Sequence, residues 1–177
     1  MGRTGSVKPN EDPGALQQAK SEAATYAAGE QRPLGSYVLV MMGYGAAVGG
    51  LGGLVWRLRR PLPERLGWSD LLLTSLATHK IARLMSKDPV TSPLRAPFSR
   101  FAGTSGPAEL EEEVRDGGPR KALGELVTCP FCIGQWVATG LIFGLVLAPR
   151  VTRLVAATFA ALTGADFLQF AYARIQG

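Results

Sequence analysis

The residues with the greatest capacity for chemistry in this sequence are its two cysteines, Cys129 and Cys132, which enclose a Pro-Phe dipeptide. Three roles fit such a turn at the start of a helix. A helix N-terminus lowers a thiol pKa and would favour redox attack by Cys129. Two thiolates could instead bind zinc with two further ligands, or the thiols could simply pack at a membrane interface. The structural role is favoured, because strong zinc signals carry two such pairs and the sequence lacks the βαβ pattern of thioredoxin-like proteins.

His79, the only histidine, is together with Asp88 and Asp166 a candidate to complete a zinc site. A lone histidine on a basic helix face is, however, more often a hydrogen-bonded structural residue than a ligand. The sequence also contains no nucleophile–base pair, no paired carboxylates and no phosphate-binding glycine loop. We therefore predict a protein that is not an enzyme and has no cofactor, with zinc binding as the alternative.

The distribution of charge defines the elements that must position these residues. Residues 33–56 and 126–149 contain no Lys, Arg, Asp or Glu, and residues 154–173 contain only Asp166. Since a bilayer core needs about 20 mostly apolar residues per helix, this pattern excludes an ordinary soluble globule. The formal net charge of +5 does not indicate nucleic-acid binding, because much of the arginine lies near the ends of the apolar runs.

We predict an all-α protein, an integral membrane bundle of three to four helical segments behind a disordered N-terminal tail. The expected parts are a polar tail over residues 1–34, a transmembrane helix over residues 35–56, a second helix over residues 68–85, a polar cytoplasmic loop over residues 86–128 and a helical hairpin over residues 133–174. The tail has too little apolar surface to offset the entropy of ordering it. The second helix has one apolar and one basic face, so it could cross the membrane or lie flat on its surface.

The loop over residues 86–128 is interrupted by Pro and Gly, which exclude long helices from its first half. We expect residues 104–118 to be disordered. The acidic run from Glu109 to Glu113 is expected to face solvent. A short amphipathic helix over residues 120–127 would lead into the next span.

Three glycines, Gly45, Gly49 and Gly53, recur every four residues in the first span. Helices associate in lipid through close backbone approach, which small residues permit. The row predicts either packing within the chain or a homodimer contact. Packing within the chain is favoured, because other spans are available as partners.

Asp166 lies inside the last predicted helix, where a carboxylate facing lipid would be costly. We therefore expect it to face protein or water. Gln135 and Thr139 on the preceding span are the partners that the sequence offers.

A group of polar residues around the start of the loop is expected to hold it at the membrane. The group comprises Arg83, Lys87, Asp88, Arg95 and Arg100. Contact with anionic headgroups is the default, since it needs no special geometry and each base contributes on the order of 1 kcal/mol near the surface. The alternative is an ion-pair cluster within this group that pins the loop to the membrane face.

Lys and Arg are enriched in cytoplasmic loops, and this enrichment predicts the orientation. With four crossing segments and the tail inside, 11 of these bases lie inside and 6 outside. With residues 68–85 flat and the tail outside, the counts are 13 and 6. Both arrangements place the loop, the cysteine pair and the C-terminus in the cytoplasm, and they leave the side of the tail open.

Three sequence blocks carry a resemblance to a known family. They are LATHKIARLMSKDPVTSPLRAPF at residues 76–98, GELVTCPFCIGQWVATGLIFGLVLAP at residues 124–149 and GADFLQFAYA at residues 164–173. Together they resemble the DUF 1360 family of small membrane proteins from Bacillus and actinobacteria, over about residues 68–174. The resemblance implies a bacterial membrane protein without an assigned function, four segments and a link to sporulation. The abundance of Arg, Ala and Gly suits an actinobacterium.

The sequence therefore predicts a multi-pass protein of a bacterial cytoplasmic membrane, acting as a non-enzymatic anchor or assembly partner that presents its loop. The rival hypothesis is a membrane-embedded thiol-redox or metal-binding protein that uses Cys129 and Cys132. The expected partners are the lipid bilayer and either a second copy of the chain or another membrane protein, without nucleic acid.

Overall fold

The computed structural model of the protein describes residues 14–28 and 32–176 and shows a mostly helical chain. Within these residues the helices are α1 (Ala15–Ala27), α2 (Leu34–Arg57), α3 (Trp68–Lys87), α4 (Ser92–Arg95), α5 (Gly118–Thr128), α6 (Pro130–Leu147) and α7 (Pro149–Gln176). An antiparallel β-hairpin, formed by β1 (Ser99–Gly106) and β2 (Glu109–Val114), lies between α4 and α5. The helical fold is confirmed, but the all-α prediction is wrong because the loop contains this hairpin.

Helix α1 lies in the tail for which the sequence predicts disorder. Its segment ALQQAKSEAATYA is rich in alanine, the residue with the highest helix propensity, which explains why a helix forms there. None of its residues is buried. The remainder of that prediction concerns residues 1–13 and 29–31, which lie outside the described part of the chain.

Three helices, α2, α6 and α7, are long and apolar enough to cross a membrane. Large apolar side chains on them remain exposed, including Met41 on α2 and Leu154 and Leu168 on α7. Apolar side chains on an outer surface are favourable in lipid and unfavourable in water. By length and composition, the three helices that the sequence predicts as spans could therefore cross a bilayer.

The core of the bundle lies where α3, α6 and α7 meet. It is formed by Ala77, Leu141 and Ala156, one from each helix. Alanines on α3 and α7 leave room for close approach of the backbones, so that helix packing is tight at this point. The less apolar α3 is thus the central element of the bundle.

Helix α3 lies lengthwise against α7 and runs in the same direction. Near the start of both helices, Arg153 donates from Nε to Asp70 Oδ1 at 2.8 Å. Further along, Thr163 donates from Oγ1 to the carbonyl of Leu76 at 3.0 Å. An α-helix rises 1.5 Å per residue, so the 20 residues of α3 extend about 30 Å beside its neighbours. Helix α3 therefore packs along the length of the bundle instead of across one of its ends.

Helices α6 and α7 form an antiparallel pair joined only by Ala148, and Gly144 of α6 faces Thr152 of α7. A Cβ at Gly144 would lie 2.7 Å from Oγ1 and 3.1 Å from Cγ2 of Thr152. The Thr152 hydroxyl is fixed by a 3.0 Å hydrogen bond to the carbonyl of Ala148. Only glycine therefore fits at position 144 without displacing α7.

Helix α2 is attached to the bundle by its tyrosines. Tyr44 and Thr139 share a hydroxyl hydrogen bond of 2.8 Å, and the Tyr44 ring meets Trp136 edge-on at 5.2 Å between centroids. Tyr37 donates to Glu125 Oε2 at 2.6 Å. The start of α2 therefore lies beside α5, on the same end of the bundle as the hairpin.

The glycine row of α2 is exposed and does not face another helix in the described part of the chain. A Cβ built on Gly45, Gly49 or Gly53 would meet no atom within 4 Å among the described residues. The favoured prediction, that this row packs inside its own chain, is wrong because α2 approaches α6 with its Tyr44 face instead. The role of the row in association stays a prediction.

We expect Gly144→Ala to destabilise the α6–α7 pair by about 1–3 kcal/mol, because the added methyl group overpacks a contact that is already closed. Thermal unfolding of the purified protein in detergent, followed by circular dichroism, measures the change. The control is Gly140→Ala on the same helix, where a Cβ meets nothing within 4 Å. Equal melting temperatures for the two variants would show that the close contact at Thr152 is not a constraint.

Candidate functional site

The loop between α3 and α6 is folded around one buried arginine, Arg95, whose side chain is 1% exposed. Its Nε and Nη2 donate to the two carboxylate oxygens of Glu112 at 2.8 and 3.0 Å. Nη1 donates to the carbonyl of Met85 and to Thr91 Oγ1, and Nη2 also donates to the carbonyl of Asp88. All five N–H donors of the guanidinium are therefore satisfied, which is the condition for burying this charge. We call these contacts the Arg95 network.

The local sequence explains how Arg95 reaches this position. Helix α3 ends at Lys87, and the Asp88 carboxylate accepts the N–H of Val90 at 2.8 Å, which starts a single 3-10 turn at Pro89–Thr91. The short helix α4 follows and turns Arg95 back toward the end of α3. The guanidinium there binds carbonyls that a helix end leaves without intrahelical partners.

Glu112 reaches the network because β2 alternates between a less exposed and an exposed face. Leu110, Glu112 and Val114 form the less exposed face, whereas Glu111 and Glu113 are exposed. Ser99 on β1 also donates from Oγ to Glu112 Oε2 at 3.0 Å. The predictions of disorder over residues 104–118 and of a wholly solvated acidic run are therefore wrong.

Helix α5 completes the unit by packing against the hairpin through Gly124. A Cβ there would lie 2.5 Å from Cγ1 of Val114 and 2.9 Å from the carbonyl oxygen of Phe98. Arg115 at the end of β2 donates from Nε to the carbonyl of Ser99 at 2.9 Å. Residues 88–128 thus form a compact structure, which we call the loop unit, at one end of the bundle.

The residues predicted to anchor the loop have separate roles in the structure. Arg95 cannot contact headgroups, because it is buried in its network, and that part of the prediction is wrong. Arg83 pairs with Glu109, with Nε donating at 2.8 Å. Arg100 is exposed and lies opposite Glu113 in the hairpin register. Arg83 and Arg95 do form ion pairs, but with glutamates of β2, and not with Asp88 as the predicted cluster would require.

Asp166 forms an ion pair with Lys80, whose Nζ lies 2.6 Å from Oδ2. Of the partners that the sequence offers, Thr139 is hydrogen-bonded to Tyr44 instead. Lys80 lies at the edge of the α3 face that packs against α7, and this packing brings it to the carboxylate. Sequence reasoning missed the pair, although a base and an acid on two apolar helices are a signal for pairing.

The cysteine pair lies where α6 begins. Cys129 is the residue before the helix, and its Sγ accepts the N–H of Cys132 at 3.3 Å. The two sulfur atoms are 2.7 Å apart, both thiols are free, and Cys132 is exposed. Among the described residues, no group of three or more His, Cys, Asp and Glu side chains could hold a metal ion. His79 and the carboxylates therefore do not complete a zinc site with the cysteines.

We expect Glu112→Gln to lower the free energy of unfolding by about 3–5 kcal/mol, because it leaves the Arg95 charge buried without its counter-charge. The double change Arg95→Met with Glu112→Leu should lower the free energy of unfolding by less than the sum of the two single changes. Thermal denaturation and limited proteolysis of the hairpin provide the measurements. The control is Glu113→Gln, on the exposed face of the same strand. This change should leave the free energy of unfolding nearly unaltered. Equal protease resistance of both glutamate variants would contradict the role of the Arg95 network.

Comparison with known proteins places this chain in a family. The model of DUF1360, a family of proteins of unknown function, matches residues 73–172, which cover most of α3, the loop unit, α6 and most of α7. The Bacillus subtilis (strain 168) protein named "Sporulation protein YjcA" is 31% identical over 86 residues, which are 47% of this chain and 73% of the relative. No solved structure gives a significant match. Since the family match covers more than half of the chain, the protein belongs to the DUF1360 family.

Proposed function

We propose that this protein is a non-enzymatic, multi-pass membrane protein that holds the loop unit at the cytoplasmic face as a docking surface for an assembly partner. The observation that carries the proposal is the Arg95 network. A loop that served only to connect two spans would need no buried, fully hydrogen-bonded ion pair. The pair between Arg95 and Glu112 gives residues 88–128 one fixed shape at the end of membrane-length helices.

The proposed topology has four crossing segments, α2, α3, α6 and α7. The lengthwise packing of α3 between α6 and α7 supports its crossing with them, although it is the most polar of the four. The bond from Tyr37 to Glu125 supports placing the tail on the side of the loop unit. This is the arrangement in which 11 bases lie on the cytoplasmic side and 6 on the other.

The surface offered to a partner includes exposed apolar side chains of the loop unit. Val90, Leu94 and Phe101 are 86%, 70% and 69% exposed. Large apolar groups on a part of the protein that lies outside the bilayer are unfavourable unless something covers them. The name of the Bacillus relative indicates the process, and we extend our proposal to a membrane assembly in sporulation.

A thiol function is the second candidate, and the geometry of the cysteine pair favours it. The 2.7 Å between the sulfur atoms and the exposure of Cys132 would allow an oxidant to reach the pair. The docking function is preferred because it accounts for the folded loop unit, whereas a thiol function requires only the turn at residues 129–132.

We expect the chain to resist extraction from membranes by alkaline carbonate. We also expect it to cross the membrane an even number of times between the tail and the loop unit, so that both lie on the same side. Single cysteines are introduced as Ser21→Cys, Ser105→Cys and Glu64→Cys into the Cys129→Ser and Cys132→Ser background. An impermeant maleimide should label only the Glu64→Cys variant in intact cells and all three after permeabilisation. Labelling of Ser21→Cys without Ser105→Cys in intact cells would mean an odd number of crossings and contradict the four-segment topology.

We expect a photo-crosslinking residue at position 101 to give a discrete adduct in cells. The same residue at position 62, in the link at the opposite end, should give none, although Leu62 and Phe101 are equally exposed. The adduct should persist in the double cysteine-to-serine variant and disappear with Glu112→Gln, which unfolds the hairpin. Absence of an adduct from position 101 would refute the docking function. Loss of the adduct in the cysteine variant would favour the thiol function.

A further inference from the structure

A cleft of about 430 Å³ opens between α3, α7 and the turn of the hairpin. Its α3 wall carries His79, Lys80, Arg83 and Lys87, the basic face of that helix. Its roof is the hairpin turn, residues 107–109. The cleft therefore lies at the end of the bundle that holds the loop unit.

The opposite wall of the cleft continues into a groove along α7. Phe167, Phe170 and Ala173 line both the cleft and the groove, and Arg174 closes the groove at the end of the helix. Phe167 and Phe170 are 63% and 57% exposed, so the groove is largely apolar and open to the outer face of α7. A pocket lined in part by charged side chains thus opens directly onto an apolar groove on a helix that could lie in lipid.

Two of the bases around the cleft are neutralised by acids on facing elements. Lys80 is paired with Asp166 of α7, and Arg83 is paired with Glu109 of β2. The third carboxylate at the cleft, Asp88, accepts the N–H of Val90. A backbone N–H does not neutralise a carboxylate, so Asp88 keeps its negative charge, whereas Asp166 and Glu109 are paired.

Two further bases keep a charge that no ion pair balances among the described residues. They are Lys87, at the last position of α3, and Arg174, in the last turn of α7. Because α3 and α7 run in the same direction, both bases lie at the loop-unit end of the bundle. The bases of the cleft and groove (Lys80, Arg83, Lys87 and Arg174) outnumber their acids (Asp88, Glu109 and Asp166) by one, so this end carries one excess positive charge beside the apolar groove.

We propose that the cleft binds one anionic phospholipid, with its phosphate near Lys87 and Arg174 and an acyl chain along Phe167 and Phe170. The inference rests on the proposed location in the membrane. Charge complementarity selects the anionic headgroup, and the adjoining apolar groove selects a lipid over a free phosphate. The hairpin turn at residues 107–109 covers one side of the site, so the headgroup would be partly enclosed.

The test measures the binding of phosphatidylglycerol and phosphatidylcholine to the detergent-purified full chain by native mass spectrometry. Wild type should bind phosphatidylglycerol more tightly. The double change Lys87→Gln with Arg174→Gln should weaken phosphatidylglycerol binding about 25-fold, which corresponds to the usual contribution of two bases near an anionic surface. The matched control, Arg59→Gln with Arg60→Gln, removes the same charge at the opposite end and should leave the binding unchanged. Equal losses of phosphatidylglycerol affinity in both double variants would overturn the proposed site.

The apolar half of the site has its own test. The double change Phe167→Ala with Phe170→Ala should weaken the binding of both lipids. Glycerol phosphate, which lacks an acyl chain, should fail to displace phosphatidylglycerol from the wild type. Displacement by glycerol phosphate at equal concentration would overturn the proposal by showing that only the phosphate is bound. Equal affinity of wild type for both lipids would also overturn it, while resistance to carbonate extraction would still support the membrane location independently.

Discussion

The buried pair between Arg95 and Glu112 is the interaction on which the shape of the loop unit depends. Removing two charges from water is costly, and the cost is offset only when geometry and remaining hydrogen bonds are complete. Here the guanidinium joins three separate pieces of chain: the end of α3 through the carbonyl of Met85, the turn through Asp88, and β2 through Glu112. Since the same group satisfies all three, none of them can move without leaving a buried charge or carbonyl unpaired. The hairpin is consequently fixed to the end of α3 rather than attached to it by a flexible link.

Ion pairs also explain how so polar a helix as α3 can occupy the centre of a membrane-length bundle. Asp70 pairs with Arg153 and Lys80 pairs with Asp166, so α3 and α7 neutralise each other at two levels. The apolar face of α3 meanwhile packs its alanines against α6 and α7. A charge that faces a partner inside the bundle avoids the cost of facing lipid. The position of α3 therefore follows from its partners, and its own hydropathy does not reveal it.

The candidate spans were predictable because length and near-absence of charge suffice to identify a helix such as α6 or α7. The hairpin was not predictable in this way. Strand β2 has the sequence ELEEEV, which contains four glutamates and only one β-branched residue, so its local preference is against a strand. It forms because Glu112 meets an arginine 17 positions earlier in the chain, and a contact of that kind is invisible to local patterns. The glycine row of α2 shows the opposite case, in which a clear pattern did not reveal which helix face would meet α6.

The loop unit and the cleft share one strand, and this gives the two proposals a physical connection. On β2, Glu112 holds the Arg95 network while Glu109 pairs with Arg83 on the wall of the cleft. A phosphate bound in the cleft offers Arg83 a second acceptor and places a like charge beside Glu109. Any such effect on the hairpin is reciprocal, because a ligand that favours one position of β2 is itself bound more tightly when the hairpin holds that position. A partner docked on β1 and β2 would by the same linkage alter the affinity of the cleft for lipid. Lipid bound in the cleft would in turn alter the affinity of the loop unit for that partner.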